Sequence, residues 1–513
     1  MGNLLERVAA INDVVNGFAW GWFAIILLLG TGLICTVITG FFQISHLKHW
    51  WGKTIGSVLH KNTRHNKEEG AVSQFQALCT ALAATIGTGN IAGVAAAICI
   101  GGPGAVFWMW IAAFLGMMTN YSENILGIYF RRKNSENEWS GGAMYYLQDG
   151  LGSYKGLKTV GKVLAVFFSI FAILASFGIG NMGQINKITL NIESAFFSNI
   201  NAPAIQGVSA INWIIGLTLT IIGGFIILGG LQRIASFAER VVPFMAIAYV
   251  ICSLIILLLH IGSIGAVFAA IFKFAFIPRA VAGGASGSVI KMILDGPVKN
   301  GCKRGIFSNE AGLGSSVMVH SNSNVKEPVK QGMWGIFEVF ADTIIVCTMT
   351  AVVVLTSGYI DLSTGLAAEG LDDATLVAKT FGNTFGKPGE WFVALAVLLF
   401  AFTTVMGWSH YGSKAVEYLF GVKGVKIYKV IFVLMMISGA VLTSSLAWDI
   451  SDTFNGLMMI PNLIGVLSMT PLVVKLTKNY VDRKIKGLEI EPMLSFDPDV
   501  QEEHAELVKN GAE

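Results

Sequence analysis

The chain has 513 residues, 54% hydrophobic and 13% charged, with mean hydropathy +0.64 and a formal net charge of +3. Soluble domains carry roughly 25% charged residues, so this composition excludes a soluble enzyme or a nucleic-acid-binding module and predicts an all-α polytopic membrane protein in a lipid bilayer. The cysteines Cys35, Cys79, Cys99, Cys252, Cys302 and Cys347 are scattered without CxxC or histidine-rich spacing, and read as small buried hydrophobes.

The first apolar run starts near Phe18 and lacks the basic start and small-residue exit of a cleavable signal, so it reads as a span. Apolar runs with few or no charges, able to cross about 30 Å of hydrocarbon, follow near 71–99, 104–130, 163–187, 210–232, 241–262, 274–296, 332–357, 391–413, 430–448 and 453–474, the 274–296 run being broken by Lys291 and Asp295 in its second half, giving about eleven spans with 18–44. Lys and Arg in the connections divide 29 to 6 when the N-terminus is outside, which predicts a multi-pass cell-membrane protein with a cytoplasmic C-terminus. After about residue 475, Lys475, Lys478, Arg483, Lys484 and Lys486 form a juxtamembrane basic cluster facing anionic lipid. An acidic stretch to Glu513 follows, expected as a mobile tail with at most a short amphipathic helix.

Two glycine-rich stretches interrupt the apolar pattern: Thr85-Ile-Gly-Thr-Gly-Asn-Ile-Ala-Gly93 and Gly283-Gly-Ala-Ser-Gly287. Opened backbone in a bilayer persists only where it lines a cavity, and a matched pair of broken spans points to the ligand site of a secondary transporter. Small-residue packing is the alternative; it is preferred for Gly93 and Gly116, whereas Thr85, Thr88 and Asn90 around Gly87 and Gly89 need polar partners. Setting the first span aside leaves ten, two sets of five that must enter the membrane from opposite sides. The predicted organisation is an extra N-terminal helix (1–45), a first five-helix repeat (70–262), an inverted second repeat (267–475) and a cytoplasmic tail (476–513). At the breaks, freed N–H groups suit a carboxylate and freed carbonyls suit a hard cation such as sodium.

The run Gly87-Thr-Gly-Asn-Ile-Ala-Gly93, the segment Lys303-Arg-Gly-Ile-Phe-Ser-Asn-Glu-Ala-Gly-Leu-Gly-Ser315 and Phe402-Thr-Thr-Val-Met-Gly-Trp408 resemble the alanine or glycine:cation symporters, sodium–alanine carriers of the amino acid–polyamine–cation superfamily. The resemblance covers about residues 15–480. It implies the five-plus-five inverted repeat of the leucine-transporter type and sodium-driven uptake of a small neutral amino acid. It further implies substrate contacts from the Ile86 backbone, Asn90, Gln184, Gly283, Gly284, Ser286, Thr404 and Trp408, with Trp408 limiting side-chain size. For the sodium ion it implies the carbonyls of Ala83 and Ile86 and the hydroxyls of Thr403 and Thr404, Thr404 being shared between the two jobs. Glycine, serine or glutamine in place of alanine, protons in place of sodium, and the oligomeric state stay open.

Glu123 and Asp342 lie in or beside spans, where an ionisable group is a functional candidate and interfacial anchoring the alternative. Asp449 and Asp452 flank the last span beside Trp448 and are expected as an external rim; Arg304 to Glu310 is expected in a cytoplasmic connection as salt bridges of an inner gate. His410 and His260 read as structural hydrogen-bonding groups. The chain has no GxxxxGK[ST] run for a nucleotide, no HExxH and no Gly-x-Ser-x-Gly elbow, so neither a primary pump nor an enzyme is indicated. A channel is the remaining rival, disfavoured because two inverted broken helices in one chain enclose one central site rather than a symmetric filter.

Overall fold

The computed structural model describes residues 2–58, 63, 68, 70–200, 202–205, 207–277, 289–368, 370–371, 373–442 and 446–509. It is helical apart from two two-stranded hairpins and two isolated bridges among those residues. Six of the described helices are long and apolar enough to cross a membrane, or up to eight if each of two bent pairs is one span. Other helices fall below such a test because they carry polar groups inward. Gly104–Tyr129 has 26 residues, enough to span, yet its run from Thr119 to Asn124 is polar and wholly buried.

In chain order, α1 (Gly2–Ala19) and α2 (Trp22–Ile38) precede the first broken helix, made of α3 (Gln74–Thr85) and α4 (Val94–Gly101). Then come α5 (Gly104–Tyr129), α6 (Lys158–Phe177), α7 (Gly183–Phe196), α8 (Ala210–Ile227), α9 (Gly230–Leu259) and α10 (Ile264–Phe276). The chain resumes with α11 (Lys299–Asn309), α12 (Val317–His320), α13 (Pro328–Val339) and α14 (Thr348–Thr356). It continues with α15 (Lys387–Ala440), α16 (Leu446–Ser468), α17 (Thr470–Lys484) and α18 (Pro498–Lys509). Within α15, Gly421 at φ 72° and ψ 177° separates two helices, a conformation glycine adopts without a Cβ penalty.

With no hydrophobic drive between helices in lipid, close backbone approach does the packing. A Cβ on Gly104 would come 2.1 Å from the Phe274 backbone on α10, and one on Gly127 would come 2.1 Å from Val317 on α12. Gly335 on α13 likewise leaves room for Asn120 and Asn124 of α5, where a Cβ would meet their amides at 2.4–2.5 Å. Wider, π-helical turns occur among the described residues at Gly89–Gly93, Tyr146–Gly150, Gly178–Met182, Leu294–Val298 and Phe340–Cys347. Such turns are frequent at functional sites because they redirect side chains within a continuous helix, and three of the five converge on the breaks described below.

One end of the bundle is capped by a hairpin, β1 (Arg132–Lys133) with β2 (Trp139–Ser140). Arg131 lies 4.0 Å over the Trp139 ring and donates to the carbonyls of Ser321, Ser323 and Val325. Lys414 donates to the Trp139 carbonyl at 3.1 Å and to Glu417 at 2.9 Å. Beyond α17 the tail is folded rather than loose. Arg483 pairs with Glu327 through two bonds of 2.7 and 2.8 Å, Phe496 N–H donates to the Tyr129 carbonyl at 2.8 Å, and α18 packs His504 against Trp139.

Candidate functional site

A capping box starts α3: Ser73 Oγ accepts from Gln76 N–H and Gln76 Oε1 accepts from Ser73 N–H, both at 3.1 Å. The helix ends at Thr85, Ile86 leaves helical geometry at ψ 87°, and the two halves meet at 53°. The Gly87 N–H freed by the break donates to Asn90 Oδ1 at 2.8 Å. Thr88 Oγ1 donates to Gln184 Oε1 at 3.1 Å, while Gln184 Nε2 donates to the Ile179 carbonyl at 3.0 Å in the Gly178–Met182 turn. Thr404 Oγ1 on α15 reaches the Ala83 carbonyl at 3.1 Å as well as the Phe400 carbonyl at 3.0 Å. Close approach requires the glycines here. A Cβ on Gly87 would sit 2.5 Å from Thr404 Oγ1, one on Gly407 2.6 Å from the Ala84 Cβ, and one on Gly180 2.5 Å from Trp408.

A second interruption faces the first. Helix α11 stops at Asn309, Glu310 turns left-handed at φ 56°, Gly312 and Gly314 follow at φ 91° and 74°, and helix resumes at Val317. Asn309 Oδ1 accepts from Ala311 N–H at 3.0 Å, and Ser315 Oγ donates to Glu310 Oε2 at 2.5 Å. Glu123 of α5 accepts from Gly312 N–H at 3.4 Å and from Asn462, which also donates to the Gly312 carbonyl at 2.8 Å. Thus Glu123 serves the break and does not pair with Arg131. Phe307 lies 3.3 Å from where a Gly89 Cβ would be, so the two interruptions adjoin.

Between them is a tight cavity of about 20 Å³ lined from both breaks and from α7, α15 and α16, with Thr85, Gly87, Thr88, Gln184, Phe307, Glu310, Thr404, Trp408 and Asn455 in its walls. Larger clefts occur at the surface, one of about 550 Å³ beside Lys187 and Trp448. The cavity between the breaks is the better candidate binding site, because among the described residues both interruptions supply its walls.

Of the residues singled out in the sequence, Gln184, Thr404 and Trp408 line this cavity, Ile86 lies in the break between its wall residues Thr85 and Gly87, and Asn90 accepts from Gly87 N–H. Ala83 and Thr404 are in contact, whereas the Thr403 hydroxyl donates to the Phe400 carbonyl at 2.9 Å and approaches Met245 Sδ at 3.7 Å. Gly283, Gly284 and Ser286 lie outside the described residues. The stretch 304–310 is not a connection: Ile306, Ser308, Asn309 and Glu310 are buried, forming the helix and break opposite α3. Charges disguised it, since Lys299, Lys303 and Arg304 interrupt the apolar pattern; Lys303 is satisfied by Asp452 at 3.0 Å and by the Trp20 ring at 5.2 Å. Lys303 and Asp452 therefore share one face of the bundle, not opposite faces as their separate readings required. Phe307, Asn309 and Glu310 were missed, although Gly312 and Gly314 just after a polar triplet carry the signal of a break.

The model of the family described as the sodium:alanine symporter family matches residues 5–493. Over 93% of this chain and 98% of the other, the sequence is 41% identical to the sodium/alanine symporter AgcS of Methanococcus maripaludis. It is 33% identical to the probable sodium/glutamine symporter GlnT of Bacillus subtilis, over 95% of this chain and 93% of that one. Among solved structures, similar folds occur in MhsT in complex with L-phenylalanine, with TM-score 0.51, 12% identity and coverage of 80% of this chain and 99% of that one. A Na+-coupled sialic acid symporter matches with TM-score 0.50, 14% identity and coverage of 96% and 97%. The two structural likenesses show the fold, of the leucine-transporter type. The family match and the 41% identical relative span nearly the whole chain, and the chain belongs to the sodium:alanine symporter family of membrane transporters.

Proposed function

We propose that this protein is a sodium-coupled symporter that imports a small neutral amino acid, alanine first and glycine next, by alternating access. The supporting observation is the narrow cavity between two interrupted helices, where backbone polar groups and Gln184, Thr88 and Thr404 are packed under Trp408. The helix N-terminus that follows the break at Gly87 suits the substrate carboxylate. Trp408, seated against Gly180 with no room for a Cβ between them, limits the side chain. Gly283, Gly284 and Ser286 are retained as further substrate contacts.

Sodium is bound, in this reading, by the Ala83 and Ile86 carbonyls with Thr404 and, after its hydroxyl turns from Met245, Thr403. These are neutral oxygen ligands of the kind hard cations take. The repeats run over 70–262 and 267–475, and the protein sits in the cell membrane with its N-terminus outside and its tail cytoplasmic. Two relatives make proton coupling and glutamine the second readings: YrbD of Bacillus subtilis, named a putative sodium/proton-dependent alanine carrier, and GlnT.

The test is uptake of labelled alanine into proteoliposomes under an inward sodium gradient, with choline replacing sodium as control. Unlabelled glycine, serine and glutamine compete in parallel. Concentrative uptake lost in choline supports the reading. Uptake driven equally by a proton gradient, or blocked best by glutamine, replaces alanine or sodium with the alternative, and passive flux that ignores both gradients overturns symport.

A further inference from the structure

The two interruptions are finished off in the same way. Asn90 Oδ1 accepts the Gly87 N–H at 2.8 Å and Asn309 Oδ1 accepts the Ala311 N–H at 3.0 Å. An N–H can only donate, so in each asparagine the oxygen faces the opened backbone and the amide nitrogen is left to donate elsewhere. Asn90 Nδ2 donates to Asp342 Oδ1 at 2.6 Å. Asn309 Nδ2 donates to Thr343 Oγ1 at 3.0 Å, and Thr343 Oγ1 donates to Asp342 Oδ2 at 2.8 Å. Two relays, one from each broken helix, thus end on the two oxygens of a single carboxylate.

All four side chains are fully buried. Asp342 and Thr343 lie in the π-helical turn Phe340–Cys347 of a third helix, whose widened winding turns two consecutive residues toward both breaks. Donors converging on one acid in a low-dielectric interior make a polarised chain in which each bond strengthens the next.

We propose that Asp342, through Thr343, is a positioning residue that clasps the two broken helices together, so that the half-site for one ligand is built only when the half-site for the other is in place. None of its four side chains is among those that line the cavity. The clasp rests on the reading of the cavity as an amino-acid and sodium site, and gives that site a physical link between its halves: any shift of the 340–347 turn moves Asn90 and Asn309 together.

The pairing is directional and can be inverted. In the double variant Asn90→Asp with Asp342→Asn, the carboxylate introduced at position 90 accepts both from Gly87 N–H and from the amide introduced at 342. The amide oxygen at 342 still accepts from Thr343. Asn90→Asp alone sets two carboxylates face to face, and Asp342→Asn alone can accept from Asn90 or from Thr343 but not from both. Full-length protein in proteoliposomes, assayed by sodium-driven alanine uptake, is expected to show KM for alanine raised about tenfold or more in each single variant. The swap is expected to restore it to within about threefold of wild type.

Single variants with wild-type KM, or a swap no better than the milder single, would overturn the clasp. If a single variant does not fold, Thr343→Val and Thr343→Ser replace it. The serine is expected to match wild type and the valine to raise KM several-fold, and equal values for the two overturn the proposal. Should wild-type protein take up no amino acid, the transport reading fails; the clasp is then judged by whether the swap recovers the thermal midpoint lost in the singles, and no recovery overturns it too.

Discussion

His504 meets Trp139 edge-on, with ring centroids 5.8 Å apart, and so fastens the last helix to the hairpin that caps one end of the bundle. The contact is buried: His504 is 1% exposed, and among the described residues neither ring nitrogen has a hydrogen-bond partner. Burial first, and then the charges of Arg131, Lys326 and Lys133, push its pKa down to about 2. Glu68 accepts from Trp139 Nε1 and from Lys326 Nζ, each at 2.7 Å, so its charge is already engaged beside the indole. The pocket therefore takes the neutral imidazole and rejects the cation.

Docking of the tail should accordingly depend on pH. A released histidine titrates near 6.5, so the full docking energy is present above about 6.5 and falls by ~1.4 kcal/mol per unit as pH drops below it, toward the docked value. Protease cleavage between residues 486 and 509 is the readout, and cleavage is expected to be slow at pH 7.5 and faster at pH 5.5. His504→Phe keeps an aromatic edge without a proton and is expected to remove the difference. An unchanged pH response in that variant would falsify the assignment to His504.

Thr404 holds the Ala83 carbonyl at the end of α3, and the space that a Gly87 side chain would fill is taken by that hydroxyl. Thr404→Ala leaves the carbonyl without its partner and removes an oxygen from the ion's surroundings. The apparent affinity for sodium is expected to fall about tenfold or more, a loss of ~1.4 kcal/mol, while Thr404→Ser stays close to wild type. Sodium titrations of alanine uptake decide it; equal curves for the two variants would remove Thr404 from the ion site.

The first break was legible because Gly87, Gly89 and three polar residues stand in a stretch with no charge between Glu69 and Glu123. The second was not. Helix α11 carries Lys299, Lys303 and Arg304, so it reads as a polar connection until Asp452, far along the chain, is found beside Lys303. A charge is read as exposed unless its partner is known, and pairing across the fold leaves no local pattern. Asp342 was legible as an ionisable group at membrane depth, but Asn90, which bonds it directly, and Asn309, which reaches it through Thr343, come from separate spans. The tail misled for the opposite reason: its acidic composition predicts mobility, and the contacts that order it, at Trp139, Tyr129 and Glu327, belong to other segments.

Glu123 tests how much the second break owes to its scaffold. Its carboxylate receives the Gly312 N–H and the Asn462 amide, both buried. Glu123→Ala strands two buried donors at about 1–3 kcal/mol each, whereas Glu123→Gln keeps an acceptor oxygen. Thermal unfolding in detergent is expected to rank wild type above Glu123→Gln, with Glu123→Ala well below both. An alanine variant as stable as the glutamine one would mean that water or a neighbouring group replaces the carboxylate, and that the break does not depend on α5.

Trp408 sets the size of the cavity from one side, and the reason it can is Gly180. The indole lies where any Cβ at 180 would be, 2.5 Å away, and it makes an edge contact with Tyr411 at 5.4 Å behind it. The ring is therefore held front and back, and a bulkier substrate cannot push it aside. Trp408→Ala opens space next to Gln184 and Thr88 without touching the backbone of either break. Since each methylene accommodated in an apolar pocket is worth about 1–3 kcal/mol, competition by leucine or methionine against alanine uptake is expected to strengthen about tenfold or more. Gly180→Ala should do the reverse through the same ring, forcing the indole into the cavity and weakening even alanine while leaving glycine less affected. If both variants keep the wild-type competition order, the size limit lies elsewhere in the wall, with Phe307 of the second broken helix as the next side chain to vary.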